Sequence, residues 1–276
     1  IRKLGSLGDP VAISIRGSTN QQVNLRIDGQ LLNSGQSGGF DLDLIPVSLI
    51  ESIEVSQFQS DATGPTPIGG EIRINTLKPD GDSRSAALTL GSFGLAEINV
   101  KQDITVASHQ LTASVNHIQS DNDYRYSVPQ SFDNSQVSAN EPLRNNQFRK
   151  TTVFVSDAFG PEQAQTRVNG QFNSQKKAQP NYQNNSPEQA SSLENRNFRL
   201  GVEQSWLRPF SQSSPAIHFD GHWFEQEETF LDRPFENQHD EYRYKSQQAY
   251  IHFRAPWSST TSGKMNWQIN PYLNLN

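Results

Sequence analysis

Two patterns of apolar positions divide the chain. From Ile1 to Leu77, short apolar runs are broken by turn residues. VAISIRG and NLRIDG each read as a strand stopped by glycine. IPVSLIESIEV predicts a short helix running into a strand. Pro46 suits a first helical turn, where its missing N–H costs nothing, and Leu49, Ile50 and Ile53 recur at helical spacing. IGGEIRINT predicts another strand, with Ile68, Ile72 and Ile74 on one face. The Pro/Gly/Asp cluster in LKPDGDS marks a boundary. The first part, residues 1–78, is expected to be a small α/β domain with a polar, Gly-rich connection from Asn33 to Gly39.

After the boundary the period becomes two and stays there. AEINVKQ sets Ala96, Ile98 and Val100 against Glu97, Asn99 and Lys101. FRLGVEQSW sets Phe198, Leu200 and Val202 against Arg199 and Glu203, and IHFDGHWF sets Phe219 and Trp223 against His218, Asp220 and His222. One face is apolar and the other carries charge. Charged strand faces in this number suit a sheet between lipid and water, a transmembrane antiparallel β-barrel. A soluble antiparallel sheet with one wet face is the alternative. Connection lengths favour the barrel: GSFG, TVASH, GPEQAQ and PFSQSSP are short, whereas Asp121 to Gln147, Lys176 to Glu194 and Gln226 to Glu241 read as long. After the first hairpin, long and short alternate, as in barrels with short periplasmic turns and long outer loops. Trp206, Phe210 and Trp257 lie beside short links, where an interfacial aromatic girdle would sit. About nine barrel strands fit within residues 83–276.

Composition agrees with this division. Only 33% of the 276 residues are hydrophobic and the mean hydropathy is −0.71, yet there are 15 Phe, 7 Tyr and 4 Trp. Disordered chains are usually poor in aromatics, so a structure that greases only alternate residues fits better. The net charge of −6 and the lack of a basic run argue against nucleic acid as a partner. With no cysteine there is no disulfide framework, thiol nucleophile or cysteine metal site. No apolar run approaches the roughly 20 residues of a membrane helix. The chain opens on IRKLGSLGDP without a signal peptide and closes on YLNLN inside a strand pattern. It therefore reads as a fragment: an incomplete small domain followed by the first part of a larger barrel.

Few residues invite a chemical reading. Arg16 and Asp28 end two strands, but no nucleophile or base is poised beside them, so a catalytic pair is not supported. GSLGDP and SGQSGGF lack the lysine and the strand–helix context of a phosphate loop. Asp28 and Gly29 read as a turn. Asp121 to Asp123 cluster carboxylates of the kind calcium takes, without the spacing of a defined calcium loop, so a solvated acidic turn is the plainer reading. His218 and His222 are four apart on a strand, roughly 13 Å, too far to share an ion. With His252 they read as lumen-facing polar residues. No metal or other cofactor is expected.

The residues from Pro10 to Thr76 resemble the plug domain of TonB-dependent outer-membrane receptors. The resemblance rests on Ile15-Arg16-Gly17, on Ile27-Asp28-Gly29, on Ile53-Glu54-Val55, and on Ile68-Gly69-Gly70 running into Ile72-Arg73-Ile74-Asn75-Thr76. The spacing from Arg16 through Asp28 to FDLDLIP is similar to that of the cobalamin receptor type. One segment, SQFQSDATGPTP, departs from the family pattern, and no TonB box is visible. The resemblance implies a receptor, not an enzyme, in the bacterial outer membrane. It implies uptake of a scarce metal chelate, siderophore or cobalamin, with TonB, the chelate and the lipid bilayer as partners and a monomeric state. A non-transporting binding receptor and a soluble β-rich adhesin or lectin are the alternatives. Gly17, Asp28, Gly29, Glu54, Gly69 and Gly70 carry the plug motifs. By the same resemblance Arg16 locks the plug to the barrel wall, a solvated strand-end arginine being the other reading. Asn33, Ser34, Gly35, Gln36 and Ser37 form a plug apex that meets substrate or is merely solvated, and Gln59, Ser60 and Asp61 form a second. Tyr124, Tyr126, Tyr182 and Phe230 offer stacking surfaces in the long loops.

Overall fold

The computed structural model describes residues 2–3, 6–9, 11–12, 15, 17–33, 39–40, 42, 45–56, 67–78, 81–127, 140–182, 185–186, 190–207, 216–235, 238–259, 263–269 and 272–275. Arg16, Ser34 to Ser37 and Gln59 to Asp61 lie outside them.

The N-terminal part is built around one strand that alternates Val, Leu and Ile with Asn and Arg. This strand, β1 (Val23–Ile27), is buried at all five positions. β2 (Gln30–Leu31) pairs with it antiparallel, β3 (Ile50–Ser56) is the far edge, and β4 (Gly70–Thr76) lies between, parallel to β1. The order is β2-β1-β4-β3. Val23, Leu25, Ile27, Leu49, Ile72 and Ile74 form its apolar core.

Two local expectations change. The helix expected at IPVSLIESIEV is a single 3-10 turn, Val47–Leu49, followed directly by β3. Pro46 caps that turn with an extended ψ of 135° rather than entering a helix, and the β-branched Ile50, Ile53 and Val55 favour the strand. Ile68 does not share the face of Ile72 and Ile74. It is 84% exposed, because the strand starts only at Gly70, whose φ of 121° turns the chain into the sheet.

The second part is one antiparallel sheet. Its strands are β5 (Ser83–Leu90), β6 (Ala96–Val106), β7 (His109–Ser120), β8 (Phe148–Phe159), β9 (Ala164–Gln179), β10 (Ser191–Trp206), β11 (Ile217–Phe235), β12 (Gln238–Ser259), β13 (Gly263–Ile269) and β14 (Tyr272–Leu275). Each neighbours the next in sequence, except that β13 and β14 both pair with β12. Their register against β12 is continuous: Gly263 opposes Ser259, Ile269 opposes Phe253, and Leu275 opposes Gln247. They form one pass, so the ten strands make the nine passes expected.

The alternation read from sequence holds in space. Val115, Val153, Phe172, Phe198, Leu200 and Trp223 are exposed on one face, while Thr112, Ser114, Asn116, Thr152, Asn169 and Asn173 are buried on the other. The two ends differ. Residues 107–108 and 160–163 make tight turns at one end, and residues 121–147 and 180–190 link strands at the other. Two connections expected to be long are shortened by strand, the second almost to nothing. β9 runs to Gln179, and the β11–β12 hairpin keeps pairing up to Phe235 opposite Gln238. A membrane strand needs about 9–11 residues, and β12 has 22, so the ribbon continues well past it. Glu225 opposite Gln247, and Glu227 opposite Lys245, show why charged residues remain in strand there: cross-strand pairing satisfies the backbone and side chains outside lipid.

Phe154 of β8 and Phe224 of β11 point to the buried face and join the apolar core of the small sheet. That contact seats the small sheet against the wall.

Candidate functional site

The buried face of the wall is organised in rungs. Register places Ser114, Phe154, Gln171, Arg199 and Phe224 on one rung across β7 to β11. Next, toward the tight turns, come Thr112, Ser156, Asn169, Gly201 and His222, and then Gln110, Ala158, Arg167, Glu203 and Asp220. Phenylalanines seat the small sheet on the first rung, and charge meets it on the first and third.

Asp28 makes the charged contact. It sits on the turn between β1 and β2 with φ 48°, followed by Gly29 with φ 83°. The turn reading of the sequence is therefore right and incomplete, because the turn presents the carboxylate to the wall. Asp28 accepts hydrogen bonds from the Thr76 backbone N–H at 2.8 Å and the Thr76 hydroxyl at 3.0 Å. The Arg199 guanidinium lies 3.5 Å away and that of Arg167 3.8 Å away. Arg199 also donates to the Ile27 carbonyl, and Arg167 donates to the Thr76 hydroxyl and to Ser156. All three charged side chains are buried. Burying charge is costly unless it is paired and hydrogen-bonded, and Asp28 meets that requirement for two cations together. Glu203 and Asp220, level with Arg167, add negative charge to the same rungs.

The small sheet carries its own buried ion cluster. Arg26 and Arg73 oppose each other on parallel strands, and Glu71 separates them, accepting from both at 2.9 and 2.5 Å. Arg26 closes the Asp28 turn by donating to the Gly29 carbonyl. Sequence reading passed over Arg26, although a charged residue between Leu25 and Ile27 in a strand buried on both faces was the available signal.

At the long-loop end, the first loop of the chain is tied to the wall. Lys177, buried at the end of β9, donates to the Ser6 hydroxyl and to the Asn146 carbonyl and side chain, and lies 3.7 Å from Asp9. Asn122 donates to the Leu7 and Asn146 carbonyls. Above this node stand three tyrosines from two loops. The Tyr126 and Tyr182 rings meet edge to face at 6.2 Å, and Tyr126 donates to the Tyr182 carbonyl. Tyr124 packs edge to face on Phe93 and lies beside Tyr182. Burial, then the Tyr124 hydroxyl, pushes the Tyr182 phenol well above its ordinary value, so it stays protonated. The structure thus gathers three of the four aromatic residues expected in the loops, while Phe230 stacks on Tyr242 in the β11–β12 ribbon.

The remaining candidates fall in different places. Asn33 is buried, and its amide is joined to β1, donating to the Val23 carbonyl and accepting from the Leu25 N–H. Gly17 has φ 82°. Gly69 lies against Ser18, whose hydroxyl would be 2.3 Å from a Cβ at that position. Glu54 is exposed on β3 and accepts from Asn75. Asp121 lies beside Gly94, and among the described residues no three acidic or histidine side chains gather as a metal set. His222 is buried on the second rung, and His218 lines a cavity of about 640 Å³ between the small sheet and the wall. The side chain of His252 lies outside the described residues.

Comparison with known proteins gives these placements a context. Residues 4–70 match the family described as the TonB-dependent receptor plug domain. The vitamin B12 transporter of Vibrio vulnificus strain YJ016 is 36% identical over 78 residues, 28% of this chain and 13% of that protein. The copper transporter OprC superimposes with a TM-score of 0.65 at 12% identity, over 90% of this chain and 38% of its own. The F5-1 variant of the FrpB iron transporter of Neisseria meningitidis gives 0.64 at 11% identity, over 91% and 41%. A mutant of the ferric enterobactin receptor PfeA of Pseudomonas aeruginosa gives 0.63 at 13% identity, over 91% and 40%. At these identities the solved structures share the fold. The chain spans 13% of the length of the B12 transporter and about two-fifths of the length of the solved chains.

Proposed function

Since the chain is a TonB-dependent receptor plug domain followed by strands of that family's outer-membrane barrel, we propose that its protein takes up a scarce metal chelate, a ferric siderophore or cobalamin, into the periplasm. Substrate lands at the outer mouth, on the Tyr124–Tyr126–Tyr182 cluster and the plug apices. The inner-membrane TonB complex supplies the work of displacing the plug. The observation that carries this reading is the plug's double attachment to the wall, through Asp28 toward the tight turns and through Lys177 at the mouth. A plug held at both levels blocks passive flow and requires an energised step. Likeness to the B12 transporter over the plug, and to iron, copper and ferric enterobactin transporters in fold, supports a metal-bearing substrate.

Uptake of radiolabelled cobalamin, and of ferric catecholate and hydroxamate chelates, by cells expressing the full receptor tests this. Accumulation of one chelate, abolished when TonB is deleted, is the expected result. Binding of a chelate without accumulation would identify a receptor that does not transport, and no binding of any would overturn the reading.

A further inference from the structure

We propose that the lumen side of β10 to β12, above the plug core, selects the charge of the chelate: it takes an uncharged or cationic chelate whose rim carries N–H donors, and it rejects a polyanionic one. The proposal rests on the transport reading above and adds a substrate class to it.

Strand parity sorts the charges of this part of the wall. Arg196 opposes Glu227, which opposes Lys245, and these positions lie on the outward face with Phe198 and Trp223. Arg243 is on the same face, where it pairs with Glu241, while Lys245 pairs with Glu225 at 2.8 Å. The lumen face has the opposite character. Going from the rung of Arg199 and Phe224 toward the mouth, it presents Asn197, Gln226 and Ser246, then Asn195, Glu228 and Tyr244. Phe230 and Tyr242 follow, and then Asp232 opposite Asp240. None of these lumen positions is basic. The lumen cations of the adjoining strands do not offset the acids: Lys177 is engaged by Ser6, Asn146 and Asp9, and Lys150 is only 8% exposed.

Three observations show what this face can receive. Asp232 and Asp240 oppose each other directly, and like charges in that position are destabilising. Ser191 donates to Asp232 at 2.9 Å, and a cationic or N–H-bearing ligand there turns the remaining repulsion into attraction. Deeper in the lumen, acceptors lack donors. Asn197 is 4% exposed and its Oδ1 has no partner, and Asn195 Oδ1 and Ser246 Oγ are buried without one as well. Burial raises the pKa of Glu228, and among the described residues no basic group opposes that rise. Buried acceptors are costly unless a donor meets them. Between the two levels, Phe230 and Tyr242 stack with ring centroids 6.3 Å apart, and ring faces attract cations.

Acceptors, carboxylates and ring faces all favour a ligand that brings donors or positive charge. A chelate whose rim carries amides or an ammonium supplies both kinds of contact. A tris-catecholate brings three negative charges to a face that has no cation to meet them, and like-charge juxtaposition costs several kcal/mol.

Three probes of different charge test this on the purified full receptor at neutral pH: cyanocobalamin, uncharged with a rim of amides; a ferric tris-hydroxamate bearing a free ammonium; and a ferric tris-catecholate. One of the first two should bind tighter than the catecholate by about tenfold or more. Glu228→Lys should shift that ratio toward the catecholate by about tenfold, and the isosteric Glu228→Gln should move it severalfold in the same direction. Glu227→Lys, one residue away on the outward face, should leave the ratio within about twofold. Taking the ratio within each receptor keeps a general loss of folded protein from imitating the effect. Tightest binding of the catecholate, or a ratio unmoved by both Glu228 variants, would overturn the charge selection and leave chelate uptake standing. Binding of none of the three would overturn both.

Discussion

The Asp28 carboxylate lies 3.5 Å from the Arg199 guanidinium across 171 residues of sequence, with Arg167 at 3.8 Å on its other side. One acidic side chain on a plug turn therefore holds two buried cations of the barrel wall. Removing one partner of a buried ion pair costs about 3–5 kcal/mol, because the other charge is left without compensation. Asp28→Ala should destabilise the plug by that order. The thermal unfolding of purified receptor in detergent should show an early plug transition with the barrel transition unchanged. Asp28→Ala combined with Arg199→Met should recover part of the loss, since a cation no longer lacks its partner. A double variant no more stable than the single one would show that Arg199 does not depend on Asp28.

Phe154 belongs to the wall by sequence and to the plug by packing: it is 1% exposed within the plug core cluster. Truncating a buried phenylalanine costs about 3–5 kcal/mol, through lost transfer energy and a residual cavity. Phe154→Ala should loosen the plug by this amount. Val153→Ala, one residue along the same strand and facing outward, should change plug stability little. Urea unfolding followed by a plug-specific proteolytic site separates the two outcomes.

Much of this architecture was legible in the sequence because period two is a direct consequence of strand geometry. Ile98, Val100, Phe198, Leu200 and Trp223 could be assigned to one face before any coordinates, and the lumen positions of His218 and His222 follow from the same count. The segment after Pro46 is ambiguous in sequence, because Leu49, Ile50 and Ile53 satisfy helical spacing as well as a strand entered from a tight turn. In sequence the ribbon of β11 and β12 reads as a loop, because its charged residues look like solvent-facing linker when their cross-strand partners are unknown. The ion contacts at Asp28 were invisible for the same reason. Its partners are more than 130 residues away in the chain, and only register brings Arg167 and Arg199 to the same stretch of wall, two rungs apart.

Asn33 shows how a polar residue beside an apex can serve the fold. Its amide donates 2.8 Å to the Val23 carbonyl and accepts 2.9 Å from the Leu25 N–H, so it continues the β1 ladder where β2 has ended. Loss of a buried hydrogen-bond partner costs about 1–3 kcal/mol. Asn33→Ala should lower plug stability by that order while leaving the chelate affinity of folded receptor within twofold. A variant of unchanged stability and tenfold weaker binding would place Asn33 in direct contact with substrate instead.

The tyrosine cluster yields a prediction that separates ring from hydroxyl. Tyr126 and Tyr182 meet edge to face, with Tyr124 and the Asp9–Lys177 node close enough to act on the Tyr182 phenol. An aromatic contact adds about 0.5–1.5 kcal/mol, roughly twofold to tenfold in affinity. Tyr126→Ala should weaken chelate binding by that factor, and Tyr126→Phe should retain most of it. Tyr182 differs, because its phenol is held protonated by burial and by Tyr124, above the ordinary value of 10.0. A group whose folded value is raised contributes stability that is complete below its unfolded value and is lost as pH climbs above it. Loop order and chelate affinity should therefore stay flat up to a pH of about 10 and decline beyond, with Tyr182→Phe removing the alkaline decline that belongs to this group. Equilibrium binding of the accumulated chelate across that range measures it. An affinity that falls from neutral pH upward in the parent and remains flat in Tyr182→Phe would mean that the phenol ionises early, and that its raised value is wrong.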